Sequence, residues 1–256
     1  MNYNLSFIGD TDLFEHVKET IGKYRFHINL DKLNKNLIDP VKLTFDAVVY
    51  QNAFDNPALE RVLQDEVRRQ MDKSNTNHIG YFHQNIFRHI GKKDGWIVPE
   101  HGFDVENPVL KIFVEMKNKH NTMNSSSSAK TYMRMQNKVL KDGQNTCLLV
   151  EVIAKHSQDT EWVCSVDGET VRHPNIRRMS LDKFYGRVTG SPTAFAELCA
   201  VLPRVIGDVI ARQERAFIQD TVIEDLNASG TGDILKNLYL LAFKTYQGFE
   251  RFQWAK

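Results

Sequence analysis

Asp104, Glu115 and Lys117 are the residues of this chain whose types and spacing could do chemistry together. Glu115 and Lys117 close an apolar run, Ile112-Phe113-Val114-Glu115-Met116-Lys117. In an extended strand alternate side chains share a face, so these two would project together while Val114 and Met116 turn to the core. Asp104 lies earlier, with ten residues between it and Glu115, and a hairpin would set the two carboxylates side by side. Two such groups repel unless a positive charge sits between them. Oxygen ligands that leave room for water suit Mg2+, with Mn2+ as an acceptable substitute. A cation there binds a phosphate oxygen, lowers the pKa of a bound water and stabilises the leaving oxygen. Lys117, at the edge, would position or help deprotonate that water and offset charge on the phosphate. The backbone carbonyl of Met116 is a candidate further ligand. The chemistry this set would support is metal-dependent phosphodiester hydrolysis. A Glu-x-Lys tripeptide alone is weak, since composition yields about one per chain of this size, and an exposed ion pair on a strand is its ordinary meaning.

The surroundings strengthen the reading. Between Val109 and Lys141 the basic residues are Lys111, Lys117, Lys119, Lys130, Arg134, Lys138 and Lys141, and Glu115 is the one acid. The whole chain carries a net charge of only +1, so the total does not point to nucleic acid; the local charge is either a solvated surface or the sharper sign of an anionic partner. Lys119, His120, Asn121 and Asn124 follow the catalytic strand and have the donors and acceptors that meet base edges or phosphates. Lys130 and Arg134 are four apart and would share a helical face toward DNA, and Gln136 could point at the site from the same helix. Other polar residues have plainer readings. His83 on an amphipathic helix is a structural histidine, Glu60 and Glu66 are helix-surface glutamates, and Cys147 and Cys164 belong to apolar strands. Arg177-Arg178 either holds phosphates or flanks a strand.

The elements that must position these groups follow from periodicity. Asp12 to Lys23 reads as a helix, Lys42 to Tyr50 as a short strand, and Asn56-Pro57 as the start of a helix carrying Leu59, Val62, Leu63, Val67 and Met71. A separate helix carries Ile79 to Ile90 and ends at Gly91. Gly102 to Val105 and Val109 to Lys117 read as two strands joined by Glu106-Asn107-Pro108. Lys130 to Lys141 is helical, and Thr146 to Ile153 is apolar enough for a central strand. Glu161 to Val166 and Val171 to Met179 are further strands with Asp167-Gly168 as a turn. Ser180 caps a short helix, Ser191-Pro192 opens a long one to Arg212, and Asp233 to Tyr246 is helical. This order gives an α/β fold, a central mixed β-sheet flanked by helices. The 256 residues, 41% hydrophobic and 25% charged, are read as a single domain, 1–256, with a catalytic core at about 56–210 and helical additions at both ends. No run spans a membrane and no secretory signal is visible, and three cysteines make no disulfide framework. A cytoplasmic location is expected.

Asp104 followed by Glu115-x-Lys117 at the end of an apolar strand resembles the PD-(D/E)xK nuclease superfamily. The longer string from Phe113 to Ser128, with Glu115-Met116-Lys117-Asn118-Lys119-His120-Asn121-Thr122-Met123-Asn124 at its centre, resembles the type II restriction endonucleases that cut GGNCC-type sites. So do Asn77 to Gln84 and Lys183 to Gly190. Phe103 stands where the superfamily name has proline. The resemblance implies a PD-(D/E)xK restriction-endonuclease-like core and a homodimer that cuts both strands of double-stranded DNA with Mg2+. It also implies a cognate DNA methyltransferase as genetic partner. Two alternatives share the fold: a structure- or end-specific repair or recombination nuclease, and a catalytically inactive DNA-binding relative.

Overall fold

The computed structural model describes residues 2–35, 38–51, 56–212, 221–228, 231–243, 245–246, 249 and 253. Its helices are α1 (Asp10–Lys23), α2 (Leu30–Lys35), α3 (Pro40–Gln51), α4 (Asn56–Asn85), α5 (Ser125–Lys141), α6 (Leu181–Thr189), α7 (Ala194–Arg212), α8 (Val222–Ala228) and α9 (Ile234–Phe243). Its strands are β1 (Val105–Asn107), β2 (Ile112–Lys119), β3 (Thr146–Ile153), β4 (Asp159–Glu161), β5 (Cys164–Val166), β6 (Glu169–Val171) and β7 (Ile176–Ser180). No helix among the described residues is long and apolar enough to cross a membrane.

The chain divides into two compact units. One comprises residues 1–22 and 78–213, the other residues 23–77 and 214–256. The first holds a five-stranded sheet in the order β1-β2-β3-β7-β4. β2, β3 and β7 run parallel, and the edge strands β1 and β4 pair antiparallel. The expected mixed sheet between helices is therefore present. Thr146 to Ile153 is β3, and its residues Cys147 to Val150 are fully buried, as an unbroken apolar run in a parallel sheet should be. On one face Val114, Leu148, Val150 and Met179 pack with residues of α1, α6 and α7. On the other, Phe113, Cys147, Leu149 and Ile176 pack with Tyr132, Met135 and Val139 of α5. The alternation expected in β2 is realised, and the α5 face carries Glu115 and Lys117.

The second unit is helical. Leu33, Leu43, Ala47, Leu63, Val67, Leu226, Leu235 and Leu238 form its core. Here one expected element changes type: Lys42 to Tyr50 lies in α3, not in a strand. Its β-branched and aromatic residues favour extended chain only weakly, whereas Pro40 is suited to the first helical turn and Leu43 and Ala47, four apart, are both buried. The two helices expected either side of Lys73-Ser74-Asn75-Thr76-Asn77 are one helix, α4, of 30 residues, because those polar residues break the hydrophobic pattern without stopping backbone hydrogen bonding. The hairpin formed by β1 and β2 is also shifted. β1 starts at Val105, and the turn falls after Asn107, a fully buried residue. Asn107 Oδ1 accepts from the Leu110 amide at 3.0 Å and its Nδ2 donates to the Asp94 carbonyl at 2.9 Å. That side chain, and not Pro108, ends the strand.

Candidate active site

Val105 pairs with Val114 across β1 and β2, and the Asp104 amide donates to the Val114 carbonyl at 2.9 Å. Phe103 and Val105, two residues apart, pack into different cores. The backbone thus leaves regular alternation at Asp104, the kind of local break that re-aims a side chain at a strand end. Asp104 Oδ2 accepts from the Met116 amide at 2.7 Å, which places its carboxylate beside the Glu115-Met116-Lys117 segment. Gln84 of α4 donates to the Asp104 carbonyl at 3.3 Å.

Glu115 receives two cations. Lys117 Nζ donates to its Oε1 at 2.7 Å and Arg134 Nη2 to its Oε2 at 2.6 Å. Arg134 also donates to the Gly102 carbonyl at 3.2 Å and stacks over Phe103, 4.3 Å from the ring centre. The Asp104 carboxyl is pushed above its ordinary value, first by burial and then by the Glu115 charge. The Met116 amide, Lys117 and Arg134 oppose the shift without cancelling it. Asp104, Glu115, Lys117 and Arg134 therefore form one cluster. Among the described residues no group of three or more acids, histidines or cysteines comes together as a metal cage.

The remaining residues singled out in the sequence divide by their contacts. Lys119, Asn121 and Lys130 are exposed, and His120 is half-buried. Asn124 is the N-cap of α5, its Oδ1 accepting from the Ser127 amide at 2.8 Å, so part of its hydrogen-bonding capacity serves the helix. Arg134 is committed to Glu115. Beside the cluster lies a cleft of about 460 Å3 lined by Gly102, Phe103, Glu106, Arg134, Asn137, Lys138 and Lys141. Glu66 pairs with Arg69 within the helical unit, and Arg177 is held by Asp159.

Sequence reasoning passed over Glu151. It lies opposite Lys117 in the β2–β3 register and is fully buried. Its Oε1 accepts from Arg178 Nε at 2.9 Å and from Nη2 at 2.5 Å, while Nη2 also donates to the His120 carbonyl at 3.0 Å. Arg178 thus ties the loop leaving β2 to the centre of the sheet. A charge inside an otherwise apolar strand was the available signal.

The sheet and its site define the fold of a restriction-endonuclease-like nuclease. The family model described as Eco47II restriction endonuclease matches residues 5–211. The type II restriction enzyme Sau96I of Staphylococcus aureus is 33% identical over 222 residues, 82% of this chain and 82% of that enzyme. The type II restriction enzyme Eco47II of Escherichia coli is 28% identical over 222 residues, 82% of this chain and 89% of that enzyme. The chain belongs to the Eco47II restriction endonuclease family. It is a type II site-specific deoxyribonuclease, and its substrate is double-stranded DNA.

Proposed function

We propose that this endonuclease hydrolyses both DNA strands at a short palindromic GGNCC-like site, in a Mg2+-dependent reaction that Mn2+ also supports. Asp104, Glu115 and Lys117 are its catalytic residues. The observation that carries the reading is the meeting of Asp104 with Glu115 and Lys117 at the end of β2. The donors fit a hard divalent cation: two carboxylates close enough for one to raise the pKa of the other, with the Met116 carbonyl between Glu115 and Lys117. When bound, such an ion supplies Lewis acidity toward a phosphate oxygen and toward water. Asp104 and Glu115 would hold it, with the Met116 carbonyl as a further ligand. Lys117, 2.7 Å from Glu115, orients the attacking water and balances charge on the phosphate.

DNA binding is assigned to Lys119, His120, Asn121, Asn124, Lys130 and Arg134, whose side chain stays 47% exposed beside its pair with Glu115, with Lys138 and Lys141 of the neighbouring cleft as phosphate contacts. A palindromic site matches a symmetric dimer, which uses one surface twice, so the enzyme acts as a homodimer. A cognate methyltransferase protects the host's own sites. The chain works as one restriction-endonuclease domain, with a catalytic core at about 56–210 and helical additions at both ends. Digestion of a sequenced DNA with Mg2+, followed by mapping of the ends, tests this reading. Fixed fragments ending at one GGNCC-like sequence are expected. Random or structure-dependent ends refute the site-specific mechanism.

A further inference from the structure

The helical unit contains a basic cleft built wholly from residues 23–77. Its volume is about 250 Å3, and it is lined by Arg25, Arg69, Gln70, Lys73, Ser74 and Asn77. Three of these are cations, three are neutral and polar, and none is an acid. Arg69, Lys73 and Asn77 recur every four residues along α4 and so share a face.

Interactions beside the cleft hold the Arg25 backbone and the Arg69 side chain. Asn75 accepts from the Arg25 amide at 2.9 Å and donates to the Arg25 carbonyl at 3.1 Å, which pins that segment against α4. Glu66, only 7% exposed, accepts from Arg69 Nε and Nη2 at 2.6 Å each and from Gln70 at 3.0 Å. Burial works to raise the Glu66 pKa, but the hydrogen bonds from Arg69 and Gln70 bring it below the ordinary value. An ionised, buried carboxylate therefore orients Arg69 from behind. The Arg69 Nη1 edge takes no part in that pair.

Glu66 balances Arg69, and Arg25 and Lys73 line the same concavity, where an entering anion would relieve the repulsion between like charges. Arginine and lysine beside serine and asparagine are the donors that meet phosphate oxygens. We propose that this cleft binds a phosphate of the DNA backbone and gives the enzyme sequence-independent affinity. The inference rests on the nuclease reading above.

Its test is duplex binding by the full chain in chelator, across a salt series, with one duplex that contains the cleavage site and one that lacks it. The parent is compared with the Arg25→Ala/Lys73→Ala double variant and with Lys73→Glu, a change at an exposed position of α4. Both variants should lose affinity by the same factor on both duplexes. For each phosphate contact removed, the slope of log affinity against log salt should become shallower by about 0.9. Inorganic phosphate is the second arm. If it raises the melting temperature of the parent but not of the variants while the DNA slopes stay equal, the cleft takes free phosphate and the proposal is overturned. Equal slopes and affinities without a phosphate effect overturn it too, as does a loss confined to the site-containing duplex. A parent that neither binds nor cuts DNA would bring down the nuclease reading itself, a result distinct from a parent that binds and variants that match it.

Discussion

Asp104→Asn should abolish cleavage and make the protein more stable. The Asp104 carboxyl is raised above its usual 3.8 by burial and by Glu115. A raised value means that the folded chain holds the proton more tightly than the unfolded chain does. Stability from this group is fully present below about pH 3.8 and is lost as pH rises through the folded value. At neutral pH the ionised side chain therefore works against folding. Asparagine removes the charge and keeps an oxygen to accept from the Met116 amide. Relief of an unfavourable group at an active site is worth about 0.5–2 kcal/mol. The lower half of that range applies, because Met116, Lys117 and Arg134 already offset part of the cost. A gain of about 0.5–1 kcal/mol raises the melting temperature by roughly 1–4 °C in a chain of this size. Thermal denaturation of parent and variant in chelator, at pH 7 and again below pH 3.8, measures it. The difference should be present at pH 7 and vanish in acid. A variant that melts at or below the parent at pH 7 refutes the picture of two mutually destabilising carboxylates.

Three further outcomes are expected. His83 is half-buried, with its pKa lowered to about 4 by desolvation and then by His16, so stability is lost as pH falls from 6.5 toward 4. The full effect is about 3 kcal/mol, and melting of His83→Gln against the parent across that window should show a smaller acid loss. Arg178→Ala frees the loop after β2 from Glu151, so the ratio of cognate to one-base-variant binding should fall more than non-specific binding does, with partial rescue in Arg178→Lys. An unchanged ratio would leave the Glu151–Arg178 pair a purely internal contact. Lys119→Ala should relax selectivity at one base pair at a cost of roughly 1–3 kcal/mol, whereas Lys130→Ala should weaken all sequences alike and lower the salt dependence. Binding at two salt concentrations separates the two.

Strand β2 and its central neighbour β3 were legible in the sequence because their signals are local. The apolar run of β3 and the alternation around Glu115 follow from chain period alone. Asp104 was legible as a candidate, but the break in alternation that aims its carboxylate at the Met116 amide depends on how Phe103 and Val105 pack, which no spacing reveals. Lys42 to Tyr50 was misread because β-propensity is weak against burial of Leu43 and Ala47 at helical spacing. The commitment of Arg134 to Glu115 joins residues on α5 and β2, and the Glu151–Arg178–His120 link joins three segments, so only the fold brings either into view. The division into two units was hidden for the same reason, since each is assembled from separated stretches of chain.

The central claim is that Asp104, Glu115 and Lys117 cleave DNA that other residues bind. Its most direct test measures cleavage and binding of one cognate duplex by the parent, Asp104→Ala, Glu115→Ala and Lys117→Ala, with cleavage in Mg2+ and binding in Ca2+. The parent should cut and be silenced by chelator, while the three variants bind the duplex and leave it intact. Cleavage by the parent in chelator, or by any of the three variants at a rate near the parent's, would contradict the account.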